Sequence, residues 1–500
     1  MEGVRKRDLS SSLNIEQKYD LVILGNGAAA FAAAIKADEL GKKAALVQGG
    51  TIGGTCINVG CVPSKRMLVA GEIIRTSAEH NLGNGVINSQ IQMLNFQKLI
   101  RSKDQMVKVL RNEKYEHVLD TLSKNVSVYK GIAAFVSKNL VSISTGNHAN
   151  KTISGKSFLI ATGSSPVVPN FEGIQGASYW TNVEALSPPF KPKSMIVIGG
   201  RALGLEFAQM YARLGTRVTL LQRSDTIIPD EEPEISEALT KYLLEDGLDI
   251  KTKVNVKKIS QLDSKSGRKK SSKIAATVVE AEVSGKTSRF RAQALLLATG
   301  RAPNSKEIGL EELGVKTNRE DGAVIIDDEM RTNISDIYAA GDVTGEPMLE
   351  ALAAREGTLA AENALSGSHR KIDLGVVPRA IFTDPQLASV GLTDKQAVEH
   401  GYDCNCRVLD FSNIAKAIIV GNTRGMIKMV ADNKTHGVLG VHILCPSAAD
   451  LITEAALIIK NKYTLEQVVD TIHVFPTLSE AIKIVAQSFF RDVGGTSCCI

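Results

Sequence analysis

The sequence predicts an α/β protein: two Rossmann-like nucleotide-binding domains followed by a C-terminal α+β domain. Three observations carry that prediction. An apolar strand runs into a glycine-rich turn and a small-residue helix near residue 25, and the same order returns near residue 199. From about Leu374 the pattern changes to strands, followed by an apolar helix over residues 448–460. At 500 residues the chain is also too long for one hydrophobic core to keep growing, so several domains are expected.

The first strand, residues 19–24, leads into Gly25-Asn26-Gly27-Ala28-Ala29-Ala30 and a helix through Leu40. This is a GxGxxA turn, whose third small residue, Ala30, permits close helix packing. A diphosphate on such a turn sits against backbone N–H groups at the helix N-terminus. The next strand, 43–47, ends at Gln48, where an acidic ribose ligand is usual. Glutamine can still hydrogen-bond a ribose hydroxyl.

The stretch that follows is Gly53-Gly54-Thr55-Cys56-Ile57-Asn58-Val59-Gly60-Cys61-Val62-Pro63-Ser64-Lys65. If it opens one helix, Cys56 lies outside that helix and Cys61 near its positive end, where thiolate is favoured. A Cys-x4-Cys is also half of a possible zinc site, but no second ligand pair with such spacing follows.

The second nucleotide turn lies in residues 194–206, where Arg201 replaces the central glycine while Gly199 and Gly204 remain. Its next strand, 217–221, ends in Gln222-Arg223. An acid there would bind a ribose 2′-hydroxyl and repel a 2′-phosphate, so a neutral Gln followed by Arg favours NADPH. Ala161-Thr162-Gly163 and Ala298-Thr299-Gly300 each follow an apolar strand and bracket this segment. The basic run 263–273 reads as a solvated hairpin loop.

Composition excludes several classes. Hydrophobic residues make up 43% and charged residues 23%, with a net charge of only +5, which gives no case for a nucleic-acid partner. No apolar run reaches transmembrane length, and serines follow the basic start where a secretory signal would need an apolar core. A cytoplasmic protein without a membrane partner is expected. Seven cysteines do not make a disulfide framework in so long a chain. Cys404 and Cys406 read as incidental strand residues on one face, with metal binding as the alternative. Cys445 reads as structural.

With the nucleotide turns beside it, the GGTCxNxGCxPSK stretch resembles the redox-active disulfide signature of the pyridine nucleotide-disulfide oxidoreductases, and the likeness extends along nearly the whole chain. Residues 332–343 are similar to that family's second FAD motif, in which the aspartate, here Asp342, binds the ribityl chain. The resemblance implies a domain order. Residues 1–18 form an extended or disordered N-terminal segment, 19–170 and 293–372 the FAD domain, 171–292 the NADPH domain, and 373–500 the dimerisation domain with its Cys-Cys tail. A two-fold homodimer with active sites shared across the interface is expected. The residues expected along the cofactors are Gly25, Gly27, Ala30, Gln48, Gly54, Thr55, Lys65, Thr162 and Gly163 in the first half. Gly199, Gly204, Glu206, Gln222, Arg223, Gly300, Arg301, Gly341 and Asp342 complete the set. Cys61 would contact the flavin, Cys56 would be the interchange thiol, and Lys65 would lie near the flavin with Glu206 as its acidic partner.

Departures from the common pattern narrow the activity. Disulfide reductases carry His-Pro-Thr-x-x-Glu near the C-terminus; Pro476, Thr477 and Glu480 are present, but the acid/base histidine is Phe475. His473 is a nearby substitute. The chain ends in Cys498-Cys499-Ile500 after a glycine pair, and Gly50-Thr51-Ile52 precedes the redox stretch. Together these resemble the mercuric reductases. The implied activity is NADPH-dependent reduction of Hg(II) to Hg(0), with metal taken from small-molecule thiols by Cys498 and Cys499 and passed to Cys56 and Cys61 of the partner subunit. Tyr179 is a candidate on the metal path, while Thr477 stands where a tyrosine is common. With about eighteen residues before the FAD fold, the separate N-terminal metal-binding module of many such enzymes is expected to be absent. The alternative is a thioredoxin-reductase-like enzyme whose C-terminal dithiol carries electrons to a disulfide.

Overall fold

The structure, a computed structural model, describes residues 15–79, 94–122, 124–146, 150–262 and 276–493. The chain divides into two compact units, Met1–Cys61 with Gln105–Ser165 and Arg301–Ile372, and Val62–Asp104 with Pro166–Gly300 and Asp373–Ile500.

The first unit is built on one sheet. Its parallel part runs in the order Val126–Lys130, Ala44–Gln48, Ile15–Leu24 and Lys151–Ile160, with Ile337–Ala339 pairing the second half of the last strand. Leu140–Ser144 and Ile132–Ser137 extend the sheet in antiparallel fashion. Leu21, Val22, Ile23 and Leu24 are all buried, because a parallel sheet covered on both faces takes continuous apolar runs. The register sets Ile23 opposite Leu46 and Leu159, so three strands end together beneath the glycine turn. The helix Ala28–Glu39 buries Ala29, Ala30, Ala33, Ala34 and Ala37. Its alanines admit the helix Glu350–Ser366 so closely that a Cβ on Gly357 would stand 2.1 Å from the Ala29 carbonyl oxygen.

The second unit holds three sheets. Asp249–Lys251, Arg217–Leu221, Ser194–Ile198 and Ala294–Leu297 form a parallel four-stranded sheet, flanked by the helix Ala202–Arg213. Val254–Leu262, Ala276–Val283 and Lys286–Ala292 form an antiparallel sheet that pairs Leu262 with Ala276; residues 263–273 lie outside the described residues. The third sheet runs Arg379–Ile381, Gln386–Gly391, Val438–Cys445, Met426–Asp432 and Cys404–Asp410, all antiparallel. The helices Ala448–Lys460 and Glu480–Gln487 share its core. No described helix is long and apolar enough to cross a membrane.

Candidate active site

The redox stretch departs from the single helix expected from sequence. Cys56 lies inside a short helix of its own, Gly54–Val59, and Cys61 is the first residue of the long helix Cys61–Glu79. Glycine chemistry explains the difference. Gly53 and Gly54 take φ of +87° and +67°, which turn the chain into the short helix one residue before Thr55. Asn58 then ties that helix to its own start, its Nδ2 donating to the Ile52 and Gly54 carbonyls at 2.8 Å each. At Gly60 the backbone breaks; a Cβ there would meet Cys56 Cα at 3.1 Å, so its absence lets the two cysteine segments approach.

Cys56 and Cys61 are not joined in a disulfide in this structure; Cys56 is half-buried and Cys61 exposed. The contact with Cys61, reinforced by burial, pushes the Cys56 thiol well above the ordinary cysteine range. Cys56 therefore keeps the proton of the pair, while the helix N-terminus favours negative charge at Cys61.

Two residues at this site escape sequence reasoning. Tyr115 sits in a single π-turn, Asn112–Glu116, of the kind that recurs at functional sites. Its ring lies against Gly53 and packs edge-on to Phe31 with centroids 4.8 Å apart. Arg111 Nη1, just before the turn, donates to Asn58 Oδ1 at 3.0 Å and so fastens this turn to the redox stretch. Glu350, the first residue of the helix Glu350–Ser366, is half-buried; burial raises its carboxyl pKa, against a lowering influence of the Cys56 thiol and the Tyr115 hydroxyl. Neither residue belongs to a local motif, so only the fold places them.

The FAD residues gather in the first unit, and the structure supplies two tests of fit. Gly25 approaches the Ala161 carbonyl so closely that a Cβ would stand 2.1 Å from its oxygen, and a Cβ on Gly54 would meet Gly27 Cα at 2.7 Å. The turn is thus a side-chain-free cradle at the start of the helix Ala28–Glu39, whose first N–H groups have no side-chain cap. Gln48 ends its strand buried, with Nε2 lacking any hydrogen-bond partner. An orphaned buried donor at the ribose position fits the dinucleotide. Opposite it, Ser164 Oγ donates to Asp342 Oδ2 at 2.5 Å and accepts from Arg301 Nε at 2.7 Å. Arg301 Nη2 also reaches Thr55 Oγ1 at 3.5 Å. Asn304 N donates to the Gly163 carbonyl and Asn304 Nδ2 to that of Thr162, at 2.9 and 3.0 Å, clasping the two crossovers. Gly341 N donates to Glu356 Oε2 at 2.7 Å.

The NADPH residues gather in the second unit. A Cβ on Gly204 would stand 1.9 Å from the Gly199 carbonyl oxygen, so the second turn is also a bare cradle despite Arg201. Arg201 swings away from the turn to pair with Asp230. Gln222 is spent on the loop: its Oε1 accepts from Gly200 N at 2.9 Å and its Nε2 donates to the Thr226 carbonyl. Arg223 beside it is exposed. Within the same unit, Lys65 Nζ donates to Glu206 Oε2 at 2.8 Å and lies 4.3 Å from the Phe382 ring centroid.

The other expected residues fall elsewhere. Tyr179 packs on the apolar cluster around Ile196 and Leu221, which gives it a structural place. Glu480 Oε2 accepts from Thr477 N at 3.2 Å, which ties the preceding turn to the start of its helix. Phe475 is exposed, and His473 Nε2 donates to Glu454 Oε1 at 2.7 Å, an interaction that raises the His473 pKa. Cys404 lies 3.4 Å from Asp394 Oδ1, while burial pushes Cys445 up to about 12. Among the described residues no group of three or more potential ligands could hold a metal ion. Gly300, just beyond the strand Ala294–Leu297, takes a φ of +105°. Cys498 and Cys499 lie outside the described residues.

Comparison with known proteins agrees with this arrangement. Residues 19–357 match the pyridine nucleotide-disulphide oxidoreductase profile, and residues 377–486 match that family's dimerisation domain, which supports a homodimer. The mercuric reductase of Lysinibacillus sphaericus is 40% identical over 486 residues, spanning 97% of this chain and 85% of that protein. That of Staphylococcus aureus is 39% identical over 490 residues, spanning 98% and 86%. The solved Cu(II) complex of the HOCl-induced flavoprotein disulfide reductase RclA from Escherichia coli aligns with a TM-score of 0.82 at 27% identity, covering 95% of this chain and 100% of that one. The glycine cradles, the paired cysteines and these matches place the chain in the pyridine nucleotide-disulphide oxidoreductase family, beside its mercuric reductases.

Proposed function

We propose that the protein is an NADPH-dependent flavoenzyme that reduces Hg(II) to Hg(0). The observation that carries this reading is the Cys56–Cys61 pair, held at the meeting of two helices in a chain so similar to mercuric reductases. The Gly25–Gly27 cradle, Gln48 and Asp342 would hold FAD, which when bound would supply the two-electron chemistry that links NADPH oxidation to reduction of the metal ion.

The chain's residues handle the metal by ligand exchange. Hg(II) arrives bound to two carrier thiolates, the small-molecule thiols of the cytoplasm. Cys56, the interchange thiol, attacks first, forming one Hg–S bond as one carrier thiolate leaves with its proton. The Cys61 thiolate then displaces the second carrier. With both sulfurs on the metal, two electrons convert Hg(II) to Hg(0), which holds thiolates poorly and leaves two free sulfurs behind. Cys498 and Cys499 of one subunit are assigned the earlier capture step, delivering metal to Cys56 and Cys61 of the other. Lys65, ion-paired with Glu206, is assigned to the flavin, and Gly199, Gly204 and Arg223 to NADPH.

A disulfide substrate is the weaker reading, because thiol exchange needs a proton donor for the leaving thiolate. Phe475 has no such group, and His473 is engaged by Glu454 and by the Thr471 carbonyl. The test is NADPH oxidation by the purified protein with Hg(II) in excess small thiol, beside oxidised glutathione and oxidised thioredoxin. Rapid oxidation with Hg(II) alone supports the assignment. Rapid oxidation with thioredoxin, and inhibition by Hg(II), overturns it in favour of a dithiol electron shuttle.

A further inference from the structure

The residue at which the second nucleotide turn departs from its pattern carries a charge with a defined partner. Arg201 stands where a central glycine is usual, and its Nη1 pairs with Asp230 Oδ2. Both side chains are exposed, and an exposed pair of this kind is ordinarily a solvated contact worth little. Its surroundings argue for more. Gly200, just before Arg201, lies against Gln222: a Cβ there would stand 3.2 Å from Gln222 Cβ, and Gly200 N donates to Gln222 Oε1 at 2.9 Å. The turn and the end of the strand Arg217–Leu221 therefore touch, and Arg201 and Arg223 are each the next residue along from that contact. This strand end is where a nucleotide's 2′-hydroxyl or 2′-phosphate is read.

Asp230 is presented from a fixed loop. Ile228 N donates to the Gly200 carbonyl at 3.0 Å, and Gln222 Nε2 donates to the Thr226 carbonyl at 3.3 Å, so the loop folds back on the turn. Ile227 and Ile228 are buried in the core, Ile228 with a φ of +39° that a β-branched residue holds only where its surroundings dictate it. The residues after Asp230 are anchored as well. Glu231 pairs with the buried His442, and Glu232 accepts from Asp394 N at 2.6 Å and from Lys428 Nζ at 2.8 Å. The Asp230 carboxylate is thereby held beside the nucleotide turn and keeps the Arg201 guanidinium with it.

We propose that Arg201 is a second ligand of the NADPH 2′-phosphate, beside Arg223, and that Asp230 holds its guanidinium in reserve until that phosphate arrives. This rests on the NADPH reading above. A phosphate monoester carries about two negative charges near neutral pH, more than the single cation of Arg223 balances. A guanidinium takes carboxylate and phosphate oxygens in the same forked geometry, so Arg201 can exchange one partner for the other. NADH offers no such phosphate, and Arg201 then stays with Asp230. The acid also sets the strength of the preference, because it competes with the phosphate for Arg201 and repels it once displaced. The side chain that replaces the central glycine thus adds discrimination between the two nucleotides.

The test uses the full-length, FAD-loaded dimer as wild type, Arg201→Ala, Arg201→Lys and Asp230→Asn, with flavin content measured for each. Isothermal titration calorimetry follows binding of adenosine 2′,5′-diphosphate and, as the probe without the 2′-phosphate, of 5′-AMP. The expected result for R201A is a dissociation constant for the diphosphate raised about tenfold, with that for 5′-AMP unchanged. R201K recovers part of the affinity, since an ammonium keeps the charge without the fork. D230N binds the diphosphate several-fold more tightly than wild type, a gain that a merely structural ion pair would not give. In steady-state kinetics R201A raises KM for NADPH and leaves KM for NADH unaltered. If R201A loses its flavin, R201K and D230N carry the comparison. Unaltered diphosphate affinity in R201A, or equal losses for both probes, overturns the role of Arg201. Binding in D230N no tighter than in wild type overturns the reserve role of Asp230. Wild type that binds the diphosphate no more tightly than 5′-AMP, and is reduced as fast by NADH as by NADPH, overturns the NADPH reading itself.

Discussion

Lys65 and Glu206, 141 residues apart in sequence, form a 2.8 Å ion pair whose carboxylate is satisfied on both oxygens. Glu206 Oε1 accepts from the Phe382 amide at 2.9 Å, so one side chain of the helix Ala202–Arg213 holds both a lysine and a strand-end backbone. The same helix packs Phe207, Met210 and Tyr211 into the core that buries Met67, two residues beyond Lys65. The ion pair and the core packing thus fix the position of the lysine together.

Replacing Glu206 should damage both stability and electron supply. Glu206 is only 7% exposed at its side chain but Lys65 is 30% exposed, which discounts the buried-pair penalty to about 2 kcal/mol. E206A should lower the thermal midpoint accordingly and slow NADPH-driven bleaching of the flavin about tenfold. Stopped-flow absorbance and thermal unfolding of the same preparation check the two effects separately.

Nucleotide choice should depend on Arg223 more than on Gln222. Gln222 is occupied by Gly200 and Thr226, whereas Arg223 is exposed at the strand end. R223A should cut kcat/KM for NADPH about tenfold or more while sparing NADH, because only the 2′-phosphate loses a charged partner. Steady-state kinetics with both nucleotides decide the matter.

The second glycine turn should tolerate no side chain at residue 204. A Cβ there would overlap the Gly199 carbonyl oxygen at 1.9 Å, and that oxygen belongs to backbone, which cannot swing away. G204A should cost about 3 kcal/mol and abolish NADPH-dependent flavin reduction. Chemical reduction of the bound flavin by dithionite should be retained, which separates loss of the nucleotide site from loss of FAD.

Stability should fall as pH rises from about 4.5 to 7. Burial raises the Glu356 carboxyl from 4.5 to about 7, against the Gly341 hydrogen bond, which lowers it. The folded state therefore favours the protonated acid. Its contribution is full below 4.5, declines between 4.5 and 7, and is absent above, for a total of about 3 kcal/mol. Denaturant midpoints of wild type should show this slope, and E356Q, which mimics the neutral acid, should flatten it.

The parts of the molecule legible in the sequence are those written in adjacent residues. A strand, a glycine turn and a helix announce themselves locally, and Gln48 stands buried and unpartnered where its strand end placed it. Gln222, at the matching position of the second fold, is drawn into its own loop because Gly200 leaves room for its side chain. The separate helix carrying Cys56 depends on two positive-φ glycines and on the Asn58 side chain, so its geometry is not written in hydrophobic period. Tyr115 comes to lie against Gly53 from a segment some 60 residues away, and only tertiary packing makes them neighbours. Tyr179 attracted notice for its chemistry, but packing had already claimed it for an apolar cluster.

The most direct test of the central claim is stoichiometry. Mercury vapour released into a sealed headspace is compared with NADPH consumed, for wild type and for the Cys56→Ser, Cys61→Ser double variant, with Hg(II) in excess small thiol. The account predicts one Hg(0) per NADPH in wild type and none from the variant. NADPH consumption without mercury vapour, or vapour released equally by the double variant, would contradict it.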